Sequence, residues 1–168
     1  EKGFYTLPLK VSSNAIYKRI KERYKYKNVA LLHSDSLSMY LQEASEESVD
    51  ERQNRAKMLA WPVTVCTIDQ LFKFVYGALG TEIFAATLKY SKLVIDEIQS
   101  YSPEIIAAII YGLSIIQKMG GRFAIITATF PPVLAHFMER YSLLEGKEYQ
   151  RVDFSADTSI IRHKIEIR

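Results

Sequence analysis

Apolar residues fall in short runs, separated by stretches where they recur every three or four positions. The runs read as strands and the spaced stretches as helices. Tyr5 to Leu7 predicts a short strand ending at Pro8. An amphipathic helix follows, with Ser12 or Ser13 as its N-cap and Ile16, Ile20 and Tyr24 spaced by four. Val29 to Leu32 and Pro62 to Thr67 are compact and apolar or β-branched, as strands are. Asp69 to Gly77 predicts a helix with Leu71, Phe72 and Val75 on one face. In Lys92 to Asp96 the run Leu93-Val94-Ile95 is unbroken, as expected of a strand buried on both faces. Ser102-Pro103-Glu104 carries three helix-start signals: a capping serine, proline in the first position and an acid in the first turn. That helix is apolar nearly all round and should stop at Gly120-Gly121. Phe123 to Ile126 predicts a strand, Pro131 opens a helix to about Tyr141, and Ile160 to Ile167 alternates as a final strand. Alternating strands and helices predict an α/β fold, a parallel sheet with helices on both faces.

Composition narrows the class. The chain has 168 residues, 48% of them apolar, which suits one packed domain and excludes a disordered chain. The longest apolar run, Ile105 to Leu113, falls short of the ~20 residues that span a membrane. A single cysteine, Cys66, forms no internal disulfide and fits a reducing, cytoplasmic setting. The first residue is not Met and Phe4-Tyr5-Thr6-Leu7 reads as a strand under way, so the expectation is a piece of a longer protein. The formal charge of +3 hides an uneven distribution. The first 28 residues hold eight bases against Glu1 and Glu22. Residues 34–51 hold six acids, five serines and no base, and read as an acidic surface insertion, partly helical and mobile.

Four segments could carry chemistry. Asp96 and Glu97 end a buried strand, where open α/β sheets bind ligands. In phosphate-cleaving proteins the first such acid holds Mg²⁺, commonly through water, and the second activates the attacking water. Thr127-Ala128-Thr129 ends the next strand, 31 residues after Asp96, which is one strand-helix-strand unit. Thr67-Ile68-Asp69-Gln70 runs from a strand end into a helix, where amides and hydroxyls can grip phosphate. Lys10, just past Leu7-Pro8-Leu9, could neutralise another phosphate. His33, His136, His163 and Cys66 show no metal-ligand spacing, and Cys66 reads as a small buried residue. The aromatic residues, Phe72 and Phe123 among them, read as packing.

In this order the four segments resemble the first RecA-like lobe of a superfamily-two DExH-type helicase. The wording is closest to the CRISPR-associated helicase-nuclease of type I interference systems, through Thr67-Ile68-Asp69-Gln70-Leu71, Asp96-Glu97-Ile98-Gln99 followed by Ser100-Tyr101-Ser102-Pro103, and Thr127-Ala128-Thr129-Phe130-Pro131. The resemblance implies a RecA-like three-layer sandwich with a mostly parallel sheet, and an ATP-dependent motor on single-stranded DNA, recruited by an RNA-guided surveillance complex. It assigns Asp96 to Mg²⁺, through water, and Glu97 to water activation. Gln99, Thr127, Ala128 and Thr129 would couple hydrolysis to DNA grip, and Pro8, Leu9, Lys10, Thr67 and Gln70 would touch DNA. Residues 1–155 would be the lobe and 156–168 a final strand or a connection toward a second lobe.

Departures qualify the resemblance. No Gly-x-x-x-x-Gly-Lys loop is present; the only Gly-Lys is Gly146-Lys147, with Tyr141 where the first glycine should stand. The lobe is therefore expected to lack its Walker A strand and loop, and the chain alone to lack ATPase activity. No His-Asp neighbour pair marks a nuclease site, and Gln99 stands where many relatives have His. Two other readings use the same residues: a non-catalytic nucleic-acid-binding RecA-like module, and a P-loop nucleotide switch unrelated to nucleic acid.

Overall fold

A computed structural model describes residues 1–43, 47–144, 150 and 152–153. The predicted strand over Ile160 to Ile167 and the 156–168 boundary lie outside the described residues.

Among the described residues five strands form one sheet in the order β2-β3-β1-β4-β5: β1 Lys2–Leu7, β2 Val29–Leu32, β3 Val63–Thr67, β4 Ser91–Asp96 and β5 Arg122–Ile126. Every neighbouring pair among the described residues is parallel, in keeping with the expected parallel sheet. Registers run Tyr5 beside Val65 and Val94, and Ile95 beside Ile125. Seven α-helices among the described residues connect or flank the strands: α1 Lys10–Glu22, α2 Ser36–Leu41, α3 Val49–Lys57, α4 Ile68–Leu71, α5 Glu82–Leu88, α6 Pro103–Lys118 and α7 Pro132–Arg140. A 3₁₀ turn, Phe72–Tyr76, extends α4, and another, Ile98–Ser100, follows β4.

Period-2 alternation sends successive strand residues into two cores. Phe4, Ala30, Leu32, Cys66, Leu93 and Ile95 pack with Phe72, Leu88, Ile106, Ile110 and Leu134 on one face. Leu7, Val29, Leu31 and Val65 pack with Tyr17, Met39 and Tyr40 on the other. This second layer covers β2, β3 and β1 but does not reach across β4 and β5. Lys92 is therefore exposed and Val94 half-buried, which corrects the expectation that β4 is buried on both faces. On β5 Arg122, Ala124 and Ile126 are exposed on that same face.

Helix α6 follows its sequence signals. The Ser102 Oγ accepts from Ile105 N at 3.5 Å, Pro103 opens the helix, and Gly120 ends it at φ +89°. Gly112 lets α6 approach the 3₁₀ turn, because a Cβ there would lie 2.4 Å from the Phe72 ring.

Two local expectations need correction. Helix α1 starts at Lys10 with Leu9 as cap residue, so Ser12 and Ser13 are not caps. The buried Ser13 donates back to the Leu9 carbonyl at 3.1 Å, as an interior serine does. The helix closes at Glu22, so Tyr24 lies beyond it, 67% exposed, and Tyr17 takes the core position.

The acidic segment is also more than a solvated insertion. Met39 and Tyr40 are buried, and the Tyr40 hydroxyl bonds both N and O of Leu31. Glu43 accepts from Lys21, Arg52 and Tyr17, which ties the segment to α1 and α3. Burial alone would raise the Glu43 carboxyl. The bonds from Lys21 and Arg52 outweigh it and hold the carboxyl below its ordinary range.

Candidate functional site

Because all five strands are parallel, their carboxyl ends lie on one side of the sheet. The chain leaves β1 through α1 on one face and leaves β4 through α6 on the other. Adjacent strands whose connections part in this way open a crevice between their carboxyl ends. Leu7-Pro8-Leu9-Lys10 stands on one side of it and Asp96-Glu97 on the other.

Asp96 is held from β1. The Tyr5 hydroxyl donates to its Oδ2 at 2.6 Å, spanning 91 residues of sequence. Burial and then the Asp96 bond push the Tyr5 phenol well above its usual range, so it remains a proton donor. The sequence reading missed Tyr5. The signal that could find it is the register: Tyr5 pairs with Val94, two residues and one pleat before Asp96.

Glu97 adopts the left-handed conformation at φ +57°, which is costly for a residue with a Cβ. This bend ends β4 while the Glu97 amide still bonds Ile126 O at 3.0 Å. Its carboxylate accepts from the Gln99 amide, and the Gln99 carbonyl accepts from the Thr127 hydroxyl. The same hydroxyl also lies against Thr129 O. A hydroxyl has one proton, so it serves Gln99 or the Thr129 carbonyl, not both. When that proton serves Gln99, a hydrogen-bonded line runs from Glu97, just past β4, to the end of β5. Ala128 is exposed beside it.

The sites on the other side of the crevice are less direct. Lys10 pairs with Asp35 at 2.7 Å, and this pairing holds the Asp35 carboxyl low. Pro8 is half-buried and Leu9 is 62% exposed. Thr67 is 7% exposed, so its side chain faces the protein. Gln70 is half-buried and donates to Asp69 at 2.5 Å. His33, at the end of β2, is buried and accepts from the Asp35 amide through Nδ1, which leaves Nε2–H to donate to Asn14 at 2.7 Å. Burial lowers its pKa, so it is a neutral structural residue. Cys66 is fully buried and its thiol is pushed up by burial, in keeping with an inert packing role.

A cleft of about 180 Å³ opens between α4 with its 3₁₀ extension and the start of α6. Ile68, Asp69, Phe72, Tyr76, Tyr101 and Ile105 are among its walls. The buried Tyr101 hydroxyl has no protein partner. The sequence reading assigned no role to Tyr76 or Tyr101.

The donor set can be tested against Mg²⁺ and a nucleoside triphosphate. Mg²⁺ takes one or two carboxylates, with waters and substrate phosphates filling the rest. Asp96 fits that description, since Tyr5 engages only its Oδ2. No group of three potential ligands gathers among the described residues, and such Mg²⁺ chemistry does not need one. The chain has no glycine-rich loop to cradle the triphosphate.

No protein-family model matches. The CRISPR-associated nuclease/helicase Cas3 of Methanothermobacter thermautotrophicus is 29% identical over 144 residues, which is 82% of this chain and 17% of the relative. The chain is Cas3-like. A crystal structure of T. fusca Cas3 superposes with a TM-score of 0.69 at 20% identity, covering 89% of this chain and 18% of that one. T. fusca Cas3-ADP superposes at 0.70 with 22% identity, covering 90% and 18%. These structures bear out the RecA-like sandwich. The chain spans under a fifth of the length of these Cas3 proteins. No helix among the described residues is long and apolar enough to cross a membrane.

Proposed function

We propose that this Cas3-like chain belongs to an ATP-dependent helicase that translocates on single-stranded DNA in CRISPR antiviral defence. The observation that carries the reading is the hydrogen-bonded line Glu97–Gln99–Thr127, rising from two acids at the crevice of a parallel sheet. In this reading Asp96 holds Mg²⁺ through water, with Tyr5 fixing its carboxylate. Glu97 orients and deprotonates the attacking water. Bound Mg·ATP supplies the phosphoryl group and the charge neutralisation of its transfer. Gln99 senses Glu97 from one end and Thr127 from the other, so a change at the acids reaches the loop Thr127-Ala128-Thr129. Pro8, Leu9, Lys10, Thr67 and Gln70 form the DNA side. With Thr67 buried, its contact goes through backbone, and Lys10 must leave Asp35 to meet a phosphate. An RNA-guided surveillance complex is the partner, and the setting is the reducing cytoplasm.

The 168 residues alone lack a phosphate cradle, so they should not turn over ATP. The test is ATP hydrolysis by a longer protein that includes a phosphate loop and a second lobe, with and without single-stranded DNA, beside Asp96→Asn. DNA-stimulated turnover that Asp96→Asn abolishes supports the motor. Turnover indifferent to DNA moves the protein to the nucleotide-switch class. Absence of turnover leaves a nucleic-acid-binding module or a structural domain.

A further inference from the structure

Helix α1 begins at the carboxyl end of β1 and runs back, so residues 23–28 lie at the opposite end of the sheet from Asp96. There the sequence alternates cation and aromatic: Arg23-Tyr24-Lys25-Tyr26-Lys27. All five residues are exposed, Tyr24 by 67% and Tyr26 by 38%. Lys18 and Arg19, on the last turns of α1, are exposed too.

The segment is held in place. Tyr24 N bonds Arg19 O at 3.4 Å and Tyr26 N bonds Ile20 O at 3.2 Å, with Lys25 at φ +52° between them. Its cations are not used internally. Lys10, Lys21, Arg52, Arg55 and Lys92 all pair with carboxylates. Among the described residues no such pair forms at Lys18, Arg19, Arg23, Lys25 or Lys27, and Glu22 is the one acid in that stretch. An ordinary solvated face mixes signs. This one offers five unpaired cations with two tyrosine rings exposed among them.

We infer that the Lys18–Lys27 surface is a second nucleic-acid contact, binding the backbone of a single strand through its cations and stacking bases on Tyr24 and Tyr26. Cations alone would suit any polyanion. Exposed rings between them suit a strand whose unpaired bases present π-faces. The contact is independent of sequence and of ATP, and it does not rest on the motor reading.

The test is fluorescence anisotropy of a labelled oligo-dT strand with the 168-residue chain, across a salt series. Each neutralised phosphate contributes about 0.7 to the slope of log K against log salt for single strands. The triple variant Arg23→Ala, Lys25→Ala, Lys27→Ala should flatten that slope by about 2. Tyr24→Ala should weaken binding about five-fold or more at fixed salt, since stacking is worth ~1–3 kcal/mol per base. Circular dichroism melts should match the unaltered chain, as all the altered side chains are exposed. Lys118→Ala, exposed at the end of α6 on the other face of the sheet, should leave the slope within one ion. Three results overturn the inference: no binding at low salt, a slope unchanged by the triple variant, or poly-glutamate competing as well as oligo-dT. The last would assign the surface to an acidic protein. A motor that fails in the ATPase test while this slope responds, or the reverse, separates the two readings.

Discussion

Among the described residues, the β2-β3-β1 half of the sheet is covered on both faces, whereas the β4-β5 half is covered on one. In the first half Leu31 and Val65 are fully buried beneath α1 and α2, while Cys66 is buried on the opposite side. In the second half Leu93 and Ile95 are buried, yet on the reverse face Ala124 is exposed and Ile126 is 49% exposed. The two acids and the Thr127 loop belong to this half-covered side. Structural weight and candidate chemistry are thus divided between the halves. Substitutions in one should show in stability, and substitutions at the strand ends of the other should show in turnover.

The largest effect is expected at Glu97. In a longer protein competent for ATP hydrolysis, Glu97→Gln should lower kcat by about 10²–10⁴-fold, the usual contribution of a positioned base. The melting temperature should barely move, because the side chain is half-buried and replacing φ-strained Glu by Gln keeps the backbone cost. A large stability loss without a turnover loss would erase the division between the halves.

Next come the two faces of the β4-β5 half itself. Ile110→Ala, under the covered face and fully buried, should cost about 2–5 kcal/mol in urea unfolding. Ile126→Ala, on the open face, should stay within about 0.5 kcal/mol. Equal costs would mean that the open face is covered in solution.

The element pattern was legible because it rests on periodicity. The unbroken Leu93-Val94-Ile95 run, the Ser102-Pro103-Glu104 start and the Gly120 stop each state a local preference that packing did not override. The coverage of β4 was not legible. An apolar run says that a strand can be buried on both faces, and only the reach of α1 decides that Val94 is not. The acids and threonines were readable as strand ends on neighbouring strands. The Tyr5 bond was not, since it depends on cross-strand register between residues 91 positions apart. The pairing of Lys10 with Asp35 was hidden likewise, as it needs β2 folded beside β3.

A smaller effect is expected where the acidic segment anchors on the doubly covered half. Glu43→Gln removes the carboxylate that faces the nearly buried Arg52 and should cost about 1–3 kcal/mol. Glu43 titrates lower in the folded protein than its ordinary 4.5. Its contribution is therefore complete above that value and is lost as pH falls through the depressed folded pKa. Acid unfolding of the unaltered chain should show this loss, and Glu43→Gln should lack it. A variant with an unchanged acid limb would show that the anchor contributes nothing.

The smallest stability change, and the sharpest link between the halves, is expected at Tyr5. This residue stands on β1, within the covered half, and its hydroxyl reaches Asp96 on the other. Tyr5→Phe keeps the ring packing and removes one bond to a half-buried carboxylate that water can replace, so the loss should be about 1 kcal/mol. The functional consequence is different in kind. Without the phenol the Asp96 carboxylate can rotate, and if it holds Mg²⁺ as proposed, it would do so without a fixed orientation. Partners of this sort typically account for about 10-fold or more in metal affinity. In the longer protein the Mg²⁺ concentration for half-maximal ATP turnover should rise by about that factor, with kcat at saturating Mg²⁺ nearly kept. A fall in kcat with an unchanged Mg²⁺ requirement would place Tyr5 in the chemistry and not in the orientation of Asp96. An unchanged value of both would confine the hydroxyl to packing and leave the two halves of the sheet uncoupled at this point.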